Sequence, residues 1–210
     1  MTLAIVAGVV AFVAILGYVV TQSDNVPSGP TEWQKAQLDD SADIPGTYFA
    51  PHPGADGQVG TGDDRQHFTP GTKIPICTQA QLEAGTFSNP ICYTSNPPTS
   101  GPHSSTPMPF KILDNPAPKE NLVHNMEHGA VVVWYNTSDQ SVLDQLKSVV
   151  QDALDGRKLV VMSQYTEMES DTIALTSWTR LDKFSTSAFS KDRVSDFINV
   201  NQRRFNPEGF

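Results

Sequence analysis

Five histidines are present in the chain, and four of them stand in unusual company. His67 ends an Arg-Gln-His run, His103 ends PPTSGPH, and His124 and His128 bracket HNMEH. The last is the strongest local signal. On a strand, His124, Met126 and His128 would project to one face; on a helix, His124 and His128 would stack at i and i+4. Either way the two imidazoles share a face, as a bound metal ion requires. Pro118 can open a helix and Gly129 can close it, yet an apolar run begins at Ala130, so the flanks leave both elements open. Imidazole beside a thioether favours copper, above all Cu(I); imidazole beside carboxylate or water suits zinc. The expected centre is therefore a transition-metal site, copper before zinc. Its ligands would be His124, His128 and His103, with His67 or Met126 as the fourth. Two other readings compete: the histidines merely stiffen a loop-rich surface, or H-x-x-E-H marks an inverted zinc peptidase with Glu127 as base. The second needs a long helix, a distal acidic ligand such as Glu167 or Glu169, and a cleft that a small domain does not promise.

Two further sets of residues could do chemistry. Cys77 and Cys92 are too far apart for a C-x-x-C metal motif and are expected to form a disulfide. Closing that loop would stabilise the fold by about 3 kcal/mol on the chain-entropy model. Residues 54–64 (GADGQVGTGDD) are similar to turn-rich acidic segments of secreted bacterial proteins suspected of binding calcium. Asp56, Asp63 and Asp64 are the candidate ligands. The spacing is not that of an EF-hand, and a solvated loop is the plainer reading.

These residues need elements to hold them. Residues 3–20 carry no charge, and at about 1.5 Å per residue they would span roughly 27 Å as a helix, close to a bilayer's hydrocarbon thickness. A cleaved signal peptide would have a shorter apolar stretch, a basic start and a small-x-small cleavage site. The run is therefore expected to be a transmembrane anchor over residues 1–22. The flank that follows is acidic, which argues that it is not cytoplasmic. A seam of small residues (Ala4, Ala7 or Gly8, Ala11, Ala14) suits packing against other transmembrane helices. Residues 23–46 read as a linker with a short helix around residues 33–38. Residues 47–210 read as one extracytoplasmic domain at a single-pass cell-membrane protein's outer side, where a disulfide persists. A net charge of −9 over 210 residues argues against nucleic acid as a partner.

Within that domain, residues 48–118 are long Pro/Gly-rich loops, and regular structure begins after residue 121. Residues 130–135 (AVVVWY) predict a buried strand. Ser138 can cap a helix over residues 140–154, which Gly156 closes. Strands follow at residues 159–164 and 172–182, then a helix over residues 191–201. The expected fold is α+β, a small mixed sheet carrying two helices.

YTSNPPTSGPH, VHNMEHGAVVVWY and IALTSWTRLDKF together resemble the bacterial family called domain of unknown function 3105. The resemblance runs from about residue 46 to the C-terminus. It implies a domain behind a single N-terminal span, with no established activity, and it marks His67, His103, His124, Glu127 and His128 as matching motif positions. Members usually carry Leu at the place of Met126, so the resemblance does not imply a thioether ligand. The Cys77–Cys92 stretch looks like an insertion. Two functions follow as expectations: an extracytoplasmic metal-binding module, or an accessory subunit of a larger membrane complex with structural histidines. A zinc hydrolase trails both.

Overall fold

The computed structural model describes residues 32–209. The expected anchor and its small-residue seam lie outside them, and among the described residues no helix is long and apolar enough to cross a membrane.

The unbroken apolar run AVVVWY explains the centre of the fold. Strand β4 (Val131–Asn136) buries both faces, so every position in its first four is apolar. Val131 and Val133 point to one side of the sheet, Val132 and Trp134 to the other. Strand β5 (Val160–Gln164) pairs parallel with β4, and β6 (Thr172–Ser177) pairs antiparallel on its other edge. Strands β7 (Arg180–Ser185) and β1 (Thr47–Tyr48) complete a mixed five-stranded sheet in the order β1-β7-β6-β4-β5.

One face carries two helices, as expected. Helix α4 (Gln140–Asp155) buries Leu143, Leu146, Val149 and Val150, and α5 (Lys191–Asn201) buries Val194, Phe197 and Ile198. The cap of α4 is Asp139 and not Ser138: its carboxylate accepts from Val142 N–H at 3.1 Å. The opposite face is covered by α3 (Lys119–Glu127), by the loops containing Ile74 and Tyr93, and by Phe205. The sheet is therefore the middle layer of three.

The single strand expected over residues 172–182 is a hairpin. β6 and β7 are joined through Trp178 and Thr179, with Ser177 paired to Arg180. Thr179 takes a left-handed backbone, φ 66°, a conformation no β-branched residue advertises from sequence. Its N–H donates to Thr99 O at 3.1 Å and its carbonyl accepts from Phe49 N–H at 2.9 Å. The tip of the hairpin thus holds the PPTSG loop in place.

The short helix expected around residues 33–38 is present, and residues 32–46 pack on the domain. Helix α1 (Glu32–Leu38) sets Trp33 edge-on against Phe205 at 5.7 Å and buries Gln37, which accepts from Trp178 Nε1–H at 3.3 Å. The remaining elements are small: a helical turn (Asp63–Arg65), β2 (His67–Phe68), α2 (Gln79–Ala84) and β3 (His103–Ser104). Cys77 and Cys92 are joined by a disulfide flanking α2.

Candidate metal centre

His124 lies in the last turn of α3 and His128 at its C-cap, so the open choice between strand and helix falls to the helix. Helix and strand coexist because Gly129 turns the chain between them. It has φ +81° and lies against the backbone of Arg203, where a Cβ would come within 3.0 Å of Cα. Its carbonyl also accepts from Arg203 N–H at 2.7 Å.

The helical reading separates Met126 from the histidines. Two residues on a helix subtend about 200°, and Met126 is fully buried in the apolar cluster under the sheet. The expected thioether ligand is corrected: Met126 is a core residue.

His67 and His103 come together by strand pairing. β2 and β3 run parallel with His67 in register with His103, and His103 N–H donates to Gln66 O at 2.9 Å. His67 then stacks on His124, with ring centroids 4.8 Å apart and planes 11° off parallel. One nitrogen from each of His67, His103 and His124 lies within 4.8 Å of the others. A tetrahedral ion bound at about 2.0–2.1 Å would space its nitrogens roughly 3.3 Å apart, so small ring movements close the triad on an ion.

The ring nitrogens are already sorted for that task. His103 Nδ1 faces Gly101 O at 2.8 Å, and His124 Nδ1 faces Ser104 O at 2.6 Å. A carbonyl only accepts, so both rings carry a proton on Nδ1, and an ion would replace the contact each Nε2 makes here, with Glu127 Oε2 for His103 and with His128 Nε2 for His124. Gly101 reaches this position with φ +123°, packed where a Cβ would touch His52 and Tyr93. Tyr93 Oη donates to Pro102 O at 2.9 Å, holding the turn from below.

Glu127 is the fourth group, named from sequence only as a peptidase base or a motif position. Its Oε2 lies 3.0 Å from His103 Nε2 and 3.2 Å from His67 Nε2, while Oε1 accepts from Arg65 Nη1 at 2.8 Å. Burial pushes its pKa up, but the hydrogen bond and charge of His103, with the hydrogen bonds from His67 and Arg65, win and hold it down at about 2. His128 sits outside the triad as a partner to one member: its Nε2 is 2.7 Å from His124 Nε2, and its Nδ1 is 3.3 Å from Glu208 Oε2. Burial drives His124 down to about 4 and lowers His128 as well. His103 is fully buried and His124 nearly so, whereas the His67 side chain is 41% exposed. Access is from the His67 side.

Arg65, Glu208 and the carbonyls of Gly101 and Ser104 carry no sequence signal, since each acts through a contact made by folding. The fifth histidine, His52, likewise stands in no motif that marks it. It lies buried beneath the PPTSGPH loop, its N–H donating to Ser100 Oγ at 3.0 Å. The three aspartates of the candidate calcium loop do not converge. Asp56 is exposed and closes a local turn by accepting from Gln58 N–H at 2.8 Å, Asp63 starts the helical turn, and Asp64 is buried. Among the described residues, the histidine triad is the group of three side chains placed for an ion.

A family model described as "Protein of unknown function (DUF3105)" matches residues 86–209. The match takes in His103, His124, Glu127 and His128, and stops short of Arg65 and His67. No curated protein and no solved structure matches.

Proposed function

The chain belongs to the DUF3105 family, and we propose that it is a membrane-anchored, extracytoplasmic module that binds one divalent first-row transition-metal ion. The observation that carries this reading is the pair of buried imidazoles whose Nδ1–H groups are spent on backbone carbonyls. Such second-sphere bonds orient a ligand ring and fix its tautomer before any ion arrives. The Nε2 atoms of His103 and His124 turn toward the same cluster, where they face Glu127 and His128, contacts that a bound ion would replace. His67, His103 and His124 would be the ligands, with Glu127 Oε2 within reach as the fourth.

The donor set shifts the expected metal. The preference for copper rested on Met126; three imidazoles and a carboxylate suit Zn(II) or Cu(II) and lack the soft donor that Cu(I) favours. The peptidase reading is weakened by the same geometry. A general base works best with a pKa near the operating pH, and Glu127 is held at about 2 by Arg65 and two imidazoles. Anchoring and orientation rest on the uncharged run at residues 3–20 and the acidic flank after it. The accessory-subunit reading draws on the small-residue seam of that run and is compatible with a metal centre.

The test is titration of Zn(II), Cu(II) and Cu(I) into the metal-stripped full chain in detergent, beside the His103→Ala and His124→Ala variants. One equivalent of Zn(II) or Cu(II) should bind, and each variant should weaken binding about 100-fold or more. Equal binding by all three proteins, or none by any, would leave the histidines structural.

A further inference from the structure

Asp64 is a buried carboxylate with an unanswered oxygen. The residue is 1% exposed. Oδ2 accepts from Gly60 N–H at 2.9 Å, which turns the carboxylate back into the loop of residues 54–64. Oδ1 is buried and has no hydrogen-bond partner. Among the described residues no ion pair is made with it: the adjacent Arg65 reaches away to Glu127, and His52, close enough to feel its charge, spends both ring nitrogens on Cys92 O and Gly54 N–H. A carboxylate out of water with neither an ion-pair partner nor a full set of donors is costly, and a bound cation would offset that cost. We propose that residues 54–64 hold one hard divalent cation of the calcium class, anchored on Asp64 Oδ1.

The loop is shaped to wrap an ion. Its two ends touch: Gly54, at φ +70°, leaves only 2.2 Å between a built Cβ and the Asp63 carbonyl carbon. Gly57, Gly60 and Gly62 are also left-handed, so the backbone reverses repeatedly between those ends. Hard cations take oxygen ligands, carboxylate and backbone carbonyl together, in flexible geometry. A loop whose unanswered ligand atom is a buried carboxylate oxygen suits a hard cation such as calcium and holds no nitrogen donor for a softer ion. The site is separate from the histidine triad in chemistry, and joined to it in chain. Arg65, one residue on, holds Glu127, and His67, three residues on, is the exposed member of the triad. The bound cation would fix the segment that delivers both.

The full chain in detergent, stripped with a calcium chelator, is titrated with CaCl2 or MgCl2 while melting temperature and tryptic cleavage after Arg65 are followed. At ten times the dissociation constant, calcium should slow cleavage about tenfold and raise the melting temperature by about 3–6 °C. Asp64→Asn should abolish both responses, and His124→Ala should keep both. No calcium response in the unaltered chain overturns the site, whether or not Asp64→Asn folds. A response that survives in Asp64→Asn overturns the anchoring role. A response lost in His124→Ala would move the calcium to the histidine centre and overturn the proposal, independently of whether zinc or copper binds there.

Discussion

In His52 both ring nitrogens are spent: Nε2 donates to Cys92 O at 3.0 Å, and Nδ1 accepts from Gly54 N–H at 2.9 Å. In His124 only Nδ1 is spent on the backbone, and Nε2 is left for a neighbour. The same side chain is a structural brace in one place and a candidate ligand in the other, decided by which partners reach it. Both are buried, and desolvation lowers both pKa values. The linkage has one sign. A histidine whose folded pKa lies below its unfolded value of about 6.5 contributes fully above that pH. Its contribution fades as pH falls towards the folded pKa, because the unfolded chain takes up the proton first. Metal-free protein should therefore lose more of its urea midpoint between pH 7 and pH 5 than the His52→Gln variant loses. Parallel pH curves for the two proteins would show that His52 is not a buried neutral brace.

The helical state of α3 decides which side chains face the candidate metal site. Had residues 124–128 formed a strand, Met126 would stand between the histidines; in the helix it packs with Leu122 and Val123 under the sheet. Met126→Leu should leave metal stoichiometry and affinity unchanged and cost under about 1.5 kcal/mol. Met126→Ala should cost about 2–5 kcal/mol through the cavity it leaves. Loss of copper or zinc binding in Met126→Leu, with the fold intact by circular dichroism, would restore the thioether to the site. Helix α3 is also held to the loop it covers: Asn125 Oδ1 accepts from Met108 N–H at 2.9 Å and Nδ2 donates to Met108 O at 2.7 Å. That fastening places Ser104, four residues earlier, where its carbonyl can meet His124.

Across the whole domain, the segment expected to be a tether is clasped by a buried arginine. Arg180 donates to the carbonyls of Ile44 and Gly46 through Nη1, at 3.2 and 3.0 Å, and to those of Asp39 and Ser41 through Nη2, at 2.6 and 3.0 Å. Arg204 adds bonds to Ala36 O, Trp178 O and Thr179 Oγ1. The planar fork of guanidinium can serve several carbonyls at once, which an ammonium or an apolar chain cannot. Arg180→Met should speed amide hydrogen exchange across residues 39–46 and lower stability by about 2–4 kcal/mol. Unchanged exchange in that segment would mean that the clasp is incidental.

What the sequence determined by itself is what depends on near neighbours. The apolar run of β4, the amphipathic face of α4, the bounds of α5 at Lys191–Asn201, and the shared face of His124 and His128 all follow from periodicity. The bridging of Cys77 to Cys92 follows from having two cysteines with only each other to meet. Only the tertiary structure decided what meets across long separations. His67 joins His103 through a two-residue parallel pairing too short to show a pattern. Glu127 meets Arg65 from 62 residues away. Thr179 turns a hairpin because Thr99 and Phe49 hold its backbone, and residues 39–46 dock because Arg180 waits under them. Local periodicity reports the face a residue presents; which partner covers that face is set by packing and hydrogen bonding between segments that no repeat in the chain connects.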